Sequence, residues 1–334
     1  MSVTIHDLAK ELDVAASTVS RAMNGGSVSP KTRERIQRAA DRAGYVPDQR
    51  ARQLKMNKSL TIGVIIPDIA NPVYPLQVQV IHDILKSRGY RLFLGCTYGE
   101  VAEEATQLEM MRRERVAGVI VATCEGEDDS VLAKTFRSLR DQEVPCVLIG
   151  KANMEGSFDV VTVDNVTGAC RATDYLLRTG RRRLAVLTGP RGVRATEERL
   201  EGVYQAAADH GLEPADIPVR FADAFTSESG RQAAGGLLEL SVDGLICGND
   251  LLAIGALQAA RSRSLSVPDQ VAVVGFDDIP PASWVTPRLT TVSQPFEAVA
   301  RKACDLLLGR MDKRLDHEPS EHLLEPSLIV RESA

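Results

Sequence analysis

The sequence predicts an all-α helix-turn-helix head joined to a two-lobed α/β body built on two doubly wound parallel sheets. Three observations carry this. The first 45 residues repeat apolar side chains at a helical period and contain residues that start and stop helices. From Leu60 the pattern changes to short apolar runs separated by helical stretches, as buried parallel strands read. Two such series follow one another, opening at Ile62–Pro67 and Leu184–Pro190, so there are more strands than one compact sheet needs.

The elements of the head follow in order. Thr4 with Asp7 has the form of a capping box, and Ile5, Leu8, Ala9 and Leu12 form one face of a first helix. Ala16 to Met23 predicts a second helix, with Val19, Ala22 and Met23 inward, stopped by Asn24-Gly25-Gly26. Ser29-Pro30 reads as an N-cap followed by proline at the first helical position, and Gly44 ends that third helix. The second helix should present Ala16, Ser17, Ser20 and Arg21 outward. Arginine can pair bidentately with a guanine edge, and Lys31, Arg33 and Arg35 are candidates for phosphate. A small helical bundle with a solvated basic face would show the same pattern.

Charge is divided unevenly. Residues 1–58 hold 11 Lys and Arg against 6 Asp and Glu, a charge of +5, and the remainder holds 29 against 39, a charge of −10. A basic head on an acidic body fits a chain that meets phosphate only through its head. The six cysteines stand at no metal or redox spacing and read as buried thiols, which predicts a cytoplasmic protein. No apolar run reaches a membrane span, and the first residues do not resemble a signal peptide.

In the body, strands are expected at 60–67, 91–95, 118–123, 145–149, 160–163, 184–187, 244–247 and 271–276. No phosphate loop, dinucleotide fingerprint, metal spacing or catalytic triad appears, so no cofactor and no enzyme activity are expected. The pair Asp277-Asp278 could suggest acid–base chemistry, but such a pair more often binds hydroxyls or caps a turn.

Four linked motifs resemble the head of the lac repressor/galactose repressor family: Val3–Ala9, Thr18–Asn24, Val28–Arg33 and Gly44–Pro47. The resemblance continues through Ile62–Asp68, Asn71-Pro72, Val163–Asn165, Arg199–Gly202, Gly248–Asp250, Val274–Asp278, Leu289–Pro295 and Leu328–Arg331. It implies a DNA-contact set of Thr4, Ala16, Ser17, Thr18, Ser20, Arg21, Asn24, Lys31 and Arg33. It also implies a hinge helix with Ala51, Leu54 and Lys55, in which Leu54 wedges into a minor-groove step. One departure is Ala15, where the family usually has Ser; the missing hydroxyl removes a helix cap worth about 0.5–2 kcal/mol.

For the body the resemblance implies the fold of periplasmic sugar-binding proteins, with crossovers near Val161, Val292 and Leu323. The expected boundaries are 1–46 for the head, 47–59 for the hinge and 60–334 for the body. Lobe one would hold about 60–160 and 293–321, and lobe two 161–292 and 322–334. The implied effector set is Tyr74, Lys151, Asp164, Arg194, Arg199, Phe225, Asn249, Asp277 and Gln294. An aromatic face with Arg, Asp and Asn suits a polyol. Lys151, Arg194 and Arg199 together would favour an anionic sugar acid or phosphate; a neutral sugar or nucleoside fits equally.

The implied partners are an operator duplex, a small-molecule effector and a second copy of the chain. Without a heptad tail after Arg331, a dimer is expected rather than a tetramer. A phosphocarrier-responsive regulator is an alternative within the family. A periplasmic solute-binding protein would share the body but have no use for residues 1–58.

Overall fold

The computed structural model describes residues 3–23, 26–45, 59–122, 130–150, 157–315 and 317–334. Asn24, Ala51, Leu54, Lys55 and Lys151, all expected to touch ligands, lie outside these residues. The chain divides into two units, Met1–Ser59 and Leu60–Ala334.

The head unit contains α1 (Ile5–Glu11), α2 (Ala16–Met23) and α3 (Pro30–Ala43). The Asp7 amide donates to Thr4 Oγ1, and the Thr4 amide donates to Asp7 Oδ2, so the capping box is complete. Ser29 caps α3, and Gly44 ends it at φ 63°, a left-handed backbone that glycine adopts without penalty. Leu8, Val19, Ala22, Ile36, Ala39 and Ala40 close a small core.

Arg33 does not stand free for phosphate. Its guanidinium donates to the carbonyls of Ala22, at 2.7 Å, and Gly26, at 2.6 Å. It thereby satisfies carbonyls at and just beyond the end of α2, which lack intrahelical donors. Arg33→Ala should therefore destabilise the head by about 1–3 kcal/mol, the cost of unpaired polar groups. Urea unfolding followed by helix circular dichroism would check this, and an unchanged midpoint would refute it.

The body contains two six-stranded sheets. The first is built from β1 (Thr61–Ile66), β2 (Arg91–Cys96), β3 (Gly118–Ala122), β4 (Cys146–Ile149), β5 (Asp159–Val163) and β11 (Glu321–Leu324). Its order is β11-β5-β4-β3-β1-β2, parallel throughout. Helices α4 (Val73–Ser87), α5 (Val101–Arg113), α6 (Ser130–Asp141) and α11 (Phe296–Met311) belong to this lobe.

The second sheet uses β6 (Leu184–Thr188), β7 (Val219–Phe221), β8 (Gly244–Cys247), β9 (Ala272–Asp277), β10 (Thr290–Ser293) and β12 (Ser327–Ile329). Its order is β12-β10-β9-β8-β6-β7, with only β12 antiparallel. Helices α7 (Asn165–Arg178), α8 (Arg194–Asp209), α9 (Ser227–Leu238) and α10 (Asp250–Ser262) cover it. In both lobes α/β alternation places the carboxyl ends of parallel strands on one rim.

The chain changes lobe later than expected at each of the three crossovers. Val161 and Leu323 lie inside β5 and β11, which pair with each other, and Val292 lies inside β10. The first and third crossovers therefore fall after Val163 and at Glu325-Pro326, and the second follows Ser293. Strand pairing, rather than the apolar pattern, fixes these points.

Lobe one is fastened near its last strand by a buried ion pair. Arg310 Nε and Nη2 donate to Asp159 at 2.8 and 3.1 Å, and the Ser320 amide donates to the same carboxylate. Among the described residues, no helix is long and apolar enough to cross a membrane.

Candidate effector site and DNA-reading head

The strand order of lobe two brings the expected effector residues to one rim. Gln294 follows β10, Asp277 ends β9, Asn249 follows β8, and Gly189 follows β6. These four strands are consecutive and parallel. At about 4.8 Å between strands, four ends span roughly 15 Å, the length of one or two sugar rings.

Asp277 is 4% exposed and adopts φ 121°. Its Oδ1 accepts from Gln294 Nε2 at 2.5 Å and lies 3.6 Å from Arg199 Nη2. Burial pushes its carboxyl up to about 6, against the opposing pull of Arg199 and Gln294. Arg199 on α8 donates from Nε to Asn165 Oδ1 at 2.9 Å and from Nη1 to the Gly248 carbonyl. Its guanidinium also stacks 3.8 Å from the Phe276 ring centroid. Burial draws Arg199 below its ordinary value; Asp277 and, from lobe one, Tyr74 oppose this electrostatically.

Both partners of the Asp277–Arg199 pair are thus pushed toward neutrality, because 3.6 Å is too far to offset the lost hydration. Polar ligand groups would complete it. A ligand hydroxyl donating to Asp277 favours the ionised carboxylate. Ligand affinity should then fall as pH drops through about 6, and Asp277→Asn should flatten that dependence. Calorimetric titrations between pH 5 and 8 would test this; a flat profile in the unmodified protein would contradict it.

Phe225 lies against the rim from the loop before α9. A Cβ on Gly189 would come 2.1 Å from the Phe225 ring, so only glycine permits this approach. Asn249 is buried and caps α10, its Oδ1 accepting from the Leu252 amide at 2.9 Å. Its amide N–H groups make no hydrogen bond among the described residues. Thr188 Oγ1, also buried, has no partner among them.

Two expected ligand residues have other partners. Asp164 caps α7, accepting from the Thr167 amide and hydroxyl. Arg194 pairs with Glu198 and stands 3.6 Å from Glu321. Arg199 likewise faces a carboxylate, Asp277, at 3.6 Å. Residue reading missed Asp250, which is fully buried below the rim. It accepts from Thr291 Oγ1 at 2.5 Å and the Ile279 amide at 2.8 Å. Burial and the neighbouring Asp277 push its carboxyl well up. The sequence showed Asp250 only inside the Gly248–Asp250 motif, without its depth.

In the head, Ser17, Arg21 and Lys31 are exposed, as is the cap residue Thr4. Thr18 and Ser20 are half-buried. Ala16, expected outward, packs partly against the small core.

Comparison with known proteins agrees with both units. The family described as "Bacterial regulatory proteins, lacI family" matches residues 4–48, and "Periplasmic binding protein-like domain" matches residues 173–334. The HTH-type transcriptional regulator DegA of Bacillus subtilis (strain 168) is 30% identical over 335 residues, covering 100% of this chain and 98% of DegA. The chain belongs to the lacI family. The HTH-type transcriptional repressor CytR of Escherichia coli (strain K12), a similar relative, is 32% identical over 336 residues, 99% of this chain and 96% of CytR.

Among solved structures, a lac repressor dimer bound to operator and an anti-inducer has a TM-score of 0.88 at 26% identity, covering 100% of this chain and 99% of that one. A complex of the regulator CelR with cellobiose has a TM-score of 0.74 at 31% identity, covering 99% and 100%. This lacI-family chain is therefore a DNA-binding transcription regulator and not an enzyme.

Proposed function

We propose that this regulator is a repressor of carbohydrate-metabolism genes. It binds a pseudo-palindromic operator as a homodimer and responds to a neutral polyhydroxylated ligand, a sugar or nucleoside. The observation that carries the ligand class is the incompletely satisfied Asp277–Arg199 pair beside Asn249 and Phe225, in a rim where Arg194 and Arg199 each face a carboxylate. Hydroxyls both donate and accept, and so suit a carboxylate next to a guanidinium; a phosphate would face Asp277. The names of similar proteins support the class: one is a CelR–cellobiose complex and one is the ribose operon repressor of Halalkalibacterium halodurans (strain ATCC BAA-125 / DSM 18197 / FERM 7344 / JCM 9153 / C-125), 33% identical over 334 residues.

The second copy is proposed to sit on lobe one. There Ile69 is 55% exposed beside an apolar groove of about 280 Å³ lined by Val78, Leu92 and Leu94, along the sheet edge formed by β2. Lobe closure on the ligand would change the contacts of that face and so the spacing of the two heads.

The test has two arms. A thermal-shift screen should find a neutral sugar or nucleoside that stabilises the protein, by about 2.7 kcal/mol at 100-fold excess over its Kd. Stabilisation by sugar phosphates alone would overturn the ligand class. A mobility-shift assay with DNA upstream of the chain's own coding sequence should show binding that responds to that ligand. Arg21→Ala should weaken this binding by about 1–3 kcal/mol, the value of one bidentate base contact. Binding that ignores both ligand and Arg21 would overturn the repressor reading.

A further inference from the structure

We propose that Asn165, Glu198 and Arg194 form a polar relay that ties Arg199, at the rim of lobe two, to Glu321 on the edge strand of lobe one. The links can be followed atom by atom. Arg199 Nε donates to Asn165 Oδ1 at 2.9 Å. Asn165 Nδ2 donates to Glu198 Oε2 at 2.8 Å. Glu198 Oε1 accepts from Arg194 Nε. Arg194 Nη2 faces Glu321 Oε1 at 3.6 Å, across the boundary between the lobes.

Three features make this a connected device rather than a set of surface pairs. First, the Asn165 amide is used at both ends and has one orientation. Turning it over would set its N–H groups against Arg199 and its carbonyl oxygen against Glu198, two repulsions at once. Second, Asn165 is 7% exposed, and the side chains of Arg194 and Glu198 are 28% and 21% exposed, so water replaces the links from Arg199 to Arg194 poorly; only the far end, Glu321, is open to solvent. Third, its two ends lie by the crossovers. Asn165 follows the first of them directly, and β11 leads into the third at Glu325-Pro326. There Arg171 of α7 also grips Glu325 and the Pro326 carbonyl.

The consequence is reciprocal. A group that draws Arg199 toward the rim loosens its hold on Asn165, and the change passes through Glu198 and Arg194 to β11. A shift of β11 passes back the same way. Its regulatory meaning rests on the rim being the effector site, but the links themselves need no ligand.

The test therefore uses none. Hydrogen exchange of the full chain, read by mass spectrometry, would follow the β11 amides of residues 321–324. Asn165→Ala does not touch β11, yet it should speed exchange there by about threefold or more, as Glu321→Gln does; partly buried networks couple on this scale. The double variant should exceed the larger single effect by little. Asn165→Asp keeps the acceptor for Arg199 and turns the Glu198 link repulsive. It should act as the alanine variant does, and it decides the matter if that variant fails to fold. Amides of β2, at the far edge of the same sheet, should not change. Unchanged β11 exchange, fully additive effects, or equal acceleration in β2 would each overturn the relay. None of these outcomes depends on which ligand the rim takes.

Discussion

Arg199→Met is expected to lower effector affinity by about 100-fold or more, while operator binding without effector stays near that of the unmodified protein. Truncating one partner of a buried, hydrogen-bonded charge pair typically costs about 2–5 kcal/mol of binding. Methionine keeps the length and stacking volume over Phe276 but removes every donor. The fold should tolerate it, because Asp277, already pushed up to about 6, can take a proton once its cation has gone. Isothermal titration with the ligand found by screening is the decisive measurement. If affinity is unchanged, Arg199 is only a brace for Asn165 and the Gly248 carbonyl, and the effector binds elsewhere.

The second large effect is on stability. Arg310→Met should destabilise lobe one by about 3–5 kcal/mol near neutral pH, because it strands Asp159, which is 2% exposed, as a buried unpaired carboxylate. Burial alone would raise the Asp159 carboxyl, but Arg310 and the Ser320 amide together hold it below the ordinary value of 3.8. A lowered folded value means this group's stabilisation is present above about pH 4 and is lost as pH falls through the folded value. In the variant that pull is gone and burial dominates, so acid should relieve the strain. Urea midpoints at pH 7 and pH 4.5 should therefore lie closer to those of the unmodified protein at the lower pH. A constant gap would show that Arg310 acts through packing alone.

What the sequence disclosed follows the range of the interaction concerned. The boundaries of α1, α2 and α3 were readable because capping is local: Thr4 with Asp7, Ser29 with Thr32, and Gly44 all act within one turn. Eight strands were readable as apolar runs. Strands β7, β11 and β12 were not, since each lies at a sheet edge and is only half-buried or exposed, leaving no apolar run to read. Strand β10 was hidden by its threonines; Thr290 and Thr291 are fully buried, and their hydroxyls bond to the Arg331 amide and to Asp250.

The same rule holds for sites. Asp277, Arg199 and Gln294 came from family resemblance; the pairing of β9 with β10 brings Asp277 to Gln294, and α8 carries Arg199 to Asp277. The partners of Arg33 and Arg194 were hidden because a cation in a sequence does not show which carbonyls or carboxylates lie across the fold. Asn165 opens α7 and Glu198 lies in the second turn of α8, positions where polar residues ordinarily mean solvent. Only the contact of α7 with α8 turns them inward.

The late position of β11 has a consequence for how the molecule is made. Lobe one opens at Leu60, yet its outermost pairing partner for β5 is residues 321–324. As the chain leaves the ribosome, all of lobe two except β12 is synthesised while the edge of β5 stands unpaired. An uncovered strand edge is a template for pairing with other chains. Truncation before residue 321 should therefore yield a product that aggregates through lobe one, even though the lost residues lie far from it in the gene.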